Sequence, residues 1–308
     1  MTHPLVRLVS ALAVLAGLAT GVSSAAAQSA AHHHPLELLV APDAVGLIRV
    51  DMAVLRAQGQ LDLLAPPVGD ATGAEAARRA ALRTVAERAS EVLVVLLPGT
   101  PDEPPFVALA RGSFEAASLP PAPSGATDVV YRGFTLRSHD ALLGGFVGTQ
   151  TFVLGDSAGV RAVIDRMTTP QRGAGATDAE LVRLAADVHL YTAPLAAAMR
   201  LSPAHQQEVA GALPEGAALA SVGLELTVAG RNLNLRVVTS FPTPAEASGF
   251  ARGVTTALRE LRRSPMVREL GLGALLGSVR ARARGAVVTV SARVRPQDVR
   301  VLTEAAVR

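Results

Sequence analysis

The sequence has no cysteine, no tryptophan and no lysine, and only two tyrosines and seven phenylalanines in 308 residues. The absence of cysteine excludes a disulfide framework and lipid attachment through an N-terminal cysteine, so stability has to come from packing. The absence of lysine excludes a phosphate-loop lysine. All 29 basic residues are therefore arginine, set against 26 acidic ones for a net charge of +3. The isoelectric point near 10.3 reflects how little titrates above neutrality, not a strongly cationic surface. With so few rings for stacking and no clustered cationic excess, nucleic-acid binding is not expected.

What the chain has in quantity is apolar surface. Hydrophobic residues make up 49% and charged ones 18%, enough for a buried core in one large domain or two smaller ones. The opening "MTHPLVRLVSALAVLAGLATGVSSAAAQSA" places Arg7 before an apolar run from Leu8 to about Val22, followed by an A-x-A site at Ala25–Ala27. That is the layout of a cleavable secretory signal over residues 1–27. The run is short for a membrane span, and later apolar stretches are broken by charge or glycine. The expectation is a periplasmic or extracellular protein with no transmembrane segment after cleavage.

Residues 28–44 read as a tether, 45–170 as a first lobe, 171–177 as a linker inside "TTPQRGAGATD", and 178–308 as a second lobe. In the first, "VGLIRVD" predicts a strand at 45–51. Thr72 and Glu75 have capping-box spacing at the start of a helix over 72–90. Strands at 91–98 and 105–112 follow, and "VVYRGFTLRS", "ALLGGFVG" and "QTFVLG" predict short antiparallel strands. In the second lobe, "DVHLYTA" predicts a strand at 187–193, with helical segments near 194–212. Val222, Leu224, Leu226 and Val228 alternate before a turn at 229–232 and Leu233, Leu235 and Val237 after it, which predicts a hairpin with this face buried and the other wet. A helix over 243–263 is signalled by Thr243 as N-cap, Pro244 at its first position and Glu246 at its third, with Phe250, Val254, Leu258 and Leu261 on one face.

The last hairpin, "VRARARGAVVTVSARVR" at 279–295, predicts a two-residue turn at Arg284-Gly285, with Arg282 facing Val287 and Arg280 facing Thr289. Arg280, Arg282, Arg284, Arg293 and Arg295 then fall on one side, and Val279, Ala281, Val288, Val290 and Val294 on the other. Successive arginines on one strand face concentrate positive potential and are candidates for binding an anionic envelope component.

Three further stretches carry candidate chemistry. Gly155-Asp156-Ser157-Ala158-Gly159 matches the nucleophile elbow, which offers a serine hydrolase using Ser157, with His205 as its base, as the alternative function. Only three residues separate "LLGGFV" from "TFVL", too few for the parallel crossover that an elbow strand requires. The expected role of Asp156 or Ser157 is therefore to cap a helix. His32, His33 and His34 could hold a divalent transition metal but read first as a polar tether. "GLGALLG" at 271–277 has the wrong spacing and the wrong order of elements for a dinucleotide loop, and no cofactor is expected.

At an offset of 139, Val160-Arg161 matches Val299-Arg300, Asp165 matches Glu304 and Ser157 matches Pro296, each set following a hairpin. Pro296 suits a helix start and cannot be a nucleophile. The signal, the repeated pattern of strand, helix, hairpins and helix, and the stretch "GLIRVDMAVLR" resemble uncharacterised exported bacterial proteins built from two α+β repeats. That resemblance implies a fold and assigns no activity. The expected fold class is α+β, two related lobes, each a mainly antiparallel sheet with helices packed on one face. The expected function is a non-catalytic, exported binding or envelope-associated protein.

Overall fold

The structure, a computed structural model, describes residues 36–60, 83–99, 105–114, 125–168, 175–210, 218–230, 232–269, 271–295 and 298. It is an α+β fold of twelve strands with helices packed on them. The chain divides into two compact units: residues 1–44 with 50–177, and residues 45–49 with 178–308.

The first unit holds β2 (Ala89–Leu96), β3 (Phe106–Gly112), β4 (Thr127–Tyr131), β5 (Phe134–His139), β6 (Leu142–Phe146) and β7 (Thr151–Asp156). β7 lies between β3 and β6 and runs antiparallel to both, with Ala110 opposite Phe152 and Phe152 opposite Phe146. The β4–β5 turn is Arg132-Gly133, both at positive φ (51° and 83°), as a tight two-residue hairpin requires. Helix α2 (Ser157–Thr168) follows β7 and buries Val160, Val163 and Ile164. Its Asp165 accepts from Tyr131 Oη at 2.8 Å and Arg132 Nε at 3.0 Å, tying that turn to the helix. Of the helix expected over 72–90, residues 83–88 are helical, while β2 begins at Ala89, earlier than expected. Thr72 and Glu75 lie outside the described residues. Helix α1 (Met52–Ala57) is capped by Asp51, whose carboxylate accepts from Val54 N at 2.9 Å.

The second unit contains most of β1 (Gly46–Asp51), with β8 (Leu195–Arg200), β9 (Ser221–Ala229), β10 (Asn232–Ser240), β11 (Arg280–Arg284) and β12 (Val287–Val294). The strand expected at 187–193 is instead the end of helix α3 (Ala179–Asp187) and the turn after it. Val188 and Leu190, whose spacing imitates a strand, are both buried. His189 between them takes φ 49°, and Leu190 N–H donates to Ala185 C=O, which closes the helix with a left-handed residue. The region expected to be helical begins with β8. Its Ala-rich sequence favours helix by propensity, but Ala196 and Ala198 are buried in pairing with β9. Helix α4 (Pro203–Ala210) follows.

The β9–β10 hairpin has the expected strands, but burial on β9 is reversed. Ser221, Gly223 and Glu225 are buried, whereas Val222, Leu224, Leu226 and Val228 are half-buried. Helix α3 covers the first set, and a Cβ at Gly223 would meet Val188 Cγ1 at 2.5 Å and Leu184 Cδ1 at 2.9 Å. The opposite face is covered at one end by helix α5 (Pro244–Arg263), around Phe241, Ala247, Ala251 and Val288. Both halves of the α5 capping box form: Glu246 N–H donates to Thr243 Oγ1 at 3.2 Å and Thr243 N–H to Glu246 Oε2 at 3.1 Å. Its apolar stripe is less buried than expected. Phe250, Val254 and Leu258 are half-buried and Leu261 is exposed, so cover fades toward the C-terminal end. Helices α6 (Pro265–Glu269) and α7 (Gly273–Ser278) lead into β11.

Candidate functional site

Ser157 is the first residue of α2 and is exposed. The cap is Asp156, whose Oδ1 accepts from Gly159 N at 2.9 Å, three residues on. Gly155 lets β7 reach this point, since a Cβ there would lie 2.1 Å from Phe106 O on β3. Among the described residues no side chain lies within hydrogen-bond distance of Ser157 Oγ. His205 belongs to the second unit, where its Nδ1 is 2.9 Å from Ser202 Oγ at the start of α4. Ser157 and His205 each have a local role in starting a helix. His32, His33 and His34 lie outside the described residues, and no cluster of metal-ligating side chains occurs among the described ones.

The arginine face is more developed than the sequence indicated. The β11–β12 turn is Gly285-Ala286, with Arg284 opposite Val287, Arg282 opposite Thr289 and Arg280 opposite Ser291. The expected turn at Arg284-Gly285 is thus one residue early. Gly285 at φ 59° takes the first central position, where a type II′ turn wants glycine. Moving the turn by one shifts every pair by two, so the faces are preserved. Arg280, Arg282 and Arg284 are all exposed on β11, an edge strand. Arg280 donates to the carbonyls of Gly277 and Val279 at 2.6 and 2.9 Å. Arg282, Arg284 and Arg293 make no side-chain hydrogen bond or ion pair among the described residues.

Arg295, expected on the same side, is instead occupied. Its guanidinium contacts both oxygens of the buried Asp298 at 3.0 and 2.8 Å, and its N–H donates to Oδ2 at 2.8 Å. These bonds hold the Asp298 carboxyl below the usual aspartate range and raise the Arg295 guanidinium further, the hydrogen bonds outweighing the cost of burial.

The same sheet face continues across β12, β10 and β9. Opposite one another lie Thr227, Asn234 and Arg293 in one row, and Glu225, Arg236 and Ser291 in the next. These six, with Leu235, Ser278 and Ala292, line a cavity of about 400 Å³. Glu225 is 8% exposed. It accepts from Arg236 Nε at 2.7 Å and lies 3.0 Å from His189 Nδ1, while Arg236 also donates to the Asp187 carbonyl at the end of α3. The buried carboxylate is therefore paired, as a charge in such a position must be. Local sequence patterns place Arg293 on the arginine side but give no sign of Glu225, Arg236, Asn234, Thr227 or Ser291. Their convergence depends on β12 pairing with β10 across the intervening helices.

No protein-family profile and no curated protein matches the chain. Three crystal forms of TP0453, a bacterial (Treponema) protein, are similar to it in fold. Form III matches with TM-score 0.52 at 10% identity, over 88% of this chain and 97% of that one. Form I gives 0.51 at 11% identity over 88% and 96%, and form IV gives 0.53 at 10% identity over 87% and 96%. At this identity the likeness concerns the fold.

Proposed function

We propose that this chain is an exported, non-catalytic protein that binds an anionic component of the cell envelope through the arginine face of β11 and β12. The observation that carries the reading is the state of Arg282, Arg284 and Arg293, which share one sheet face and make no side-chain hydrogen bond or ion pair among the described residues. Other arginines of the protein are committed: Arg83 to Glu87, Arg183 to Asp187, Arg200 to Asp178 and Arg236 to Glu225. Unpaired guanidiniums side by side repel one another, and an incoming anion relieves that repulsion.

Export rests on the signal-like residues 1–27, cleaved after Ala27. Descent of the two halves from one repeat is supported by strand order. β9-β10-β12-β11 in one half follows the chain as β2-β3-β7-β6 does in the other. In this alignment β12 corresponds to β7, and Pro296 to Ser157.

The test is retention of the full mature chain on polygalacturonate, an acidic polysaccharide. Retention that falls about tenfold in an Arg282→Ser/Arg284→Ser variant, which corresponds to about 0.7 kcal/mol for each of two exposed ion pairs, supports the reading. Equal retention of variant and parent overturns it.

A further inference from the structure

The cavity on the arginine face has a definite chemical layout. Its floor is a grid of two rows of three side chains: Thr227, Asn234 and Arg293, then Glu225, Arg236 and Ser291. Neighbouring strands lie about 4.8 Å apart and same-face residues about 6.8 Å apart along a strand. The grid is thus roughly 10 Å by 7 Å, the footprint of one pyranose ring with its substituents.

Its charges are unequal. Glu225 and Arg236 neutralise each other at 2.7 Å, and both oxygens of Glu225 are engaged. Arg293 has no such partner among the described residues, so the described floor carries one uncompensated positive charge. Around it the Thr227 hydroxyl, the Asn234 amide and the Ser291 hydroxyl make no hydrogen bond to any described residue. A guanidinium prefers a planar or tetrahedral oxyanion that it can grip with two N–H groups. Neutral hydroxyls and an amide suit the alternating donors and acceptors of a polyol.

We infer that this grid holds one sugar residue bearing a single anionic group, with the anion on Arg293 and ring hydroxyls on Asn234, Thr227 and Ser291. The anion can be a uronate carboxylate or a sugar phosphate, which present the same paired oxygens to Arg293. Glu225 and Arg236 complete the floor as a pre-organised pair, fixed by His189 and the end of α3. The inference rests on the anion-binding reading, to which it adds the unit recognised. Arg282 and Arg284, outside the grid, then attract neighbouring units of a longer acidic glycan.

The experiment is calorimetric titration of the full mature chain with galacturonate, glucose 6-phosphate, glucose and inorganic phosphate. The expected result is saturable binding of galacturonate, glucose 6-phosphate or both, with glucose and inorganic phosphate at least about tenfold weaker, because each lacks one half of the contacts. Whichever acidic sugar binds identifies the anion. Arg293→Gln and Ser291→Ala, both at exposed positions where folding is insensitive, each weaken that binding, the first by about tenfold or more. Arg282→Ser/Arg284→Ser weakens polygalacturonate by a larger factor than it weakens the single sugar, because those two side chains lie outside the grid. Neither acidic sugar binding, binding no tighter than that of inorganic phosphate, or binding indifferent to Arg293→Gln overturns this inference. If polygalacturonate retention still depends on Arg282 and Arg284, the broader reading stands without it; if that dependence is also missing, both fall.

Discussion

The residue at the start of α2 that matters for stability is Asp156. Its Oδ1 accepts from Gly159 N–H, one of the donors that a helix start leaves unsatisfied. Asp156→Ala is expected to destabilise the protein by about 1 kcal/mol, seen as a lower denaturant midpoint at unchanged slope. Ser157→Ala, which removes an exposed hydroxyl without a partner among the described residues, is expected to stay within about 0.5 kcal/mol of the parent. A fluorophosphonate that labels Ser157 stoichiometrically, with labelling lost in Ser157→Ala, would show an activated nucleophile there and overturn the capping assignment. The expected result is no label, because no imidazole or carboxylate among the described residues is placed to take the proton.

At the scale of elements, the contact of α3 with β9 runs through Gly223. A methyl group at that position would come within 2.5 Å of Val188 and 2.9 Å of Leu184, so the helix would have to retreat. Gly223→Ala should cost about 1–3 kcal/mol as overpacking, measurable by thermal melting. It should also loosen the hold of Asp187 on Arg236 and of His189 on Glu225 and so weaken sugar binding. Elements were legible in the sequence where their signals are local. The α5 capping box needs only Thr243, Pro244 and Glu246, and the arginine face of β11 needs only an alternation that survives a one-residue error in the turn. They were illegible where a distant partner decides. Three alanines in β8 read as helix until β9 pairs with them, and Val188 and Leu190 read as strand because a left-handed turn at His189 gives two buried residues the same spacing. The cavity was hidden for the same reason, since Asn234 meets Arg293 only after 58 intervening positions have folded between β10 and β12.

For the whole molecule, acid stability is tied to the Arg295–Asp298 pair. The folded carboxyl is held below the ordinary 3.8 of aspartate, so in acid the unfolded chain binds its proton first. The stabilisation is fully present above that ordinary value and is lost as pH falls through it toward the lower folded value. Asp298→Asn should therefore lower stability at neutral pH and flatten its decline in acid, as followed by denaturant unfolding at several pH values. The charge pattern makes a second statement at this scale. A chain with a net charge of only +3 has little long-range pull on anions, so binding must come from the local grouping of Arg282, Arg284 and Arg293. The most direct test is to titrate the full mature chain with polygalacturonate at increasing salt, beside the Arg282→Ser/Arg284→Ser variant. The account predicts that affinity falls steeply with salt in the parent and starts lower and falls less steeply in the variant, since fewer screened contacts remain. Affinity that ignores salt, or the same salt dependence in both proteins, would contradict it.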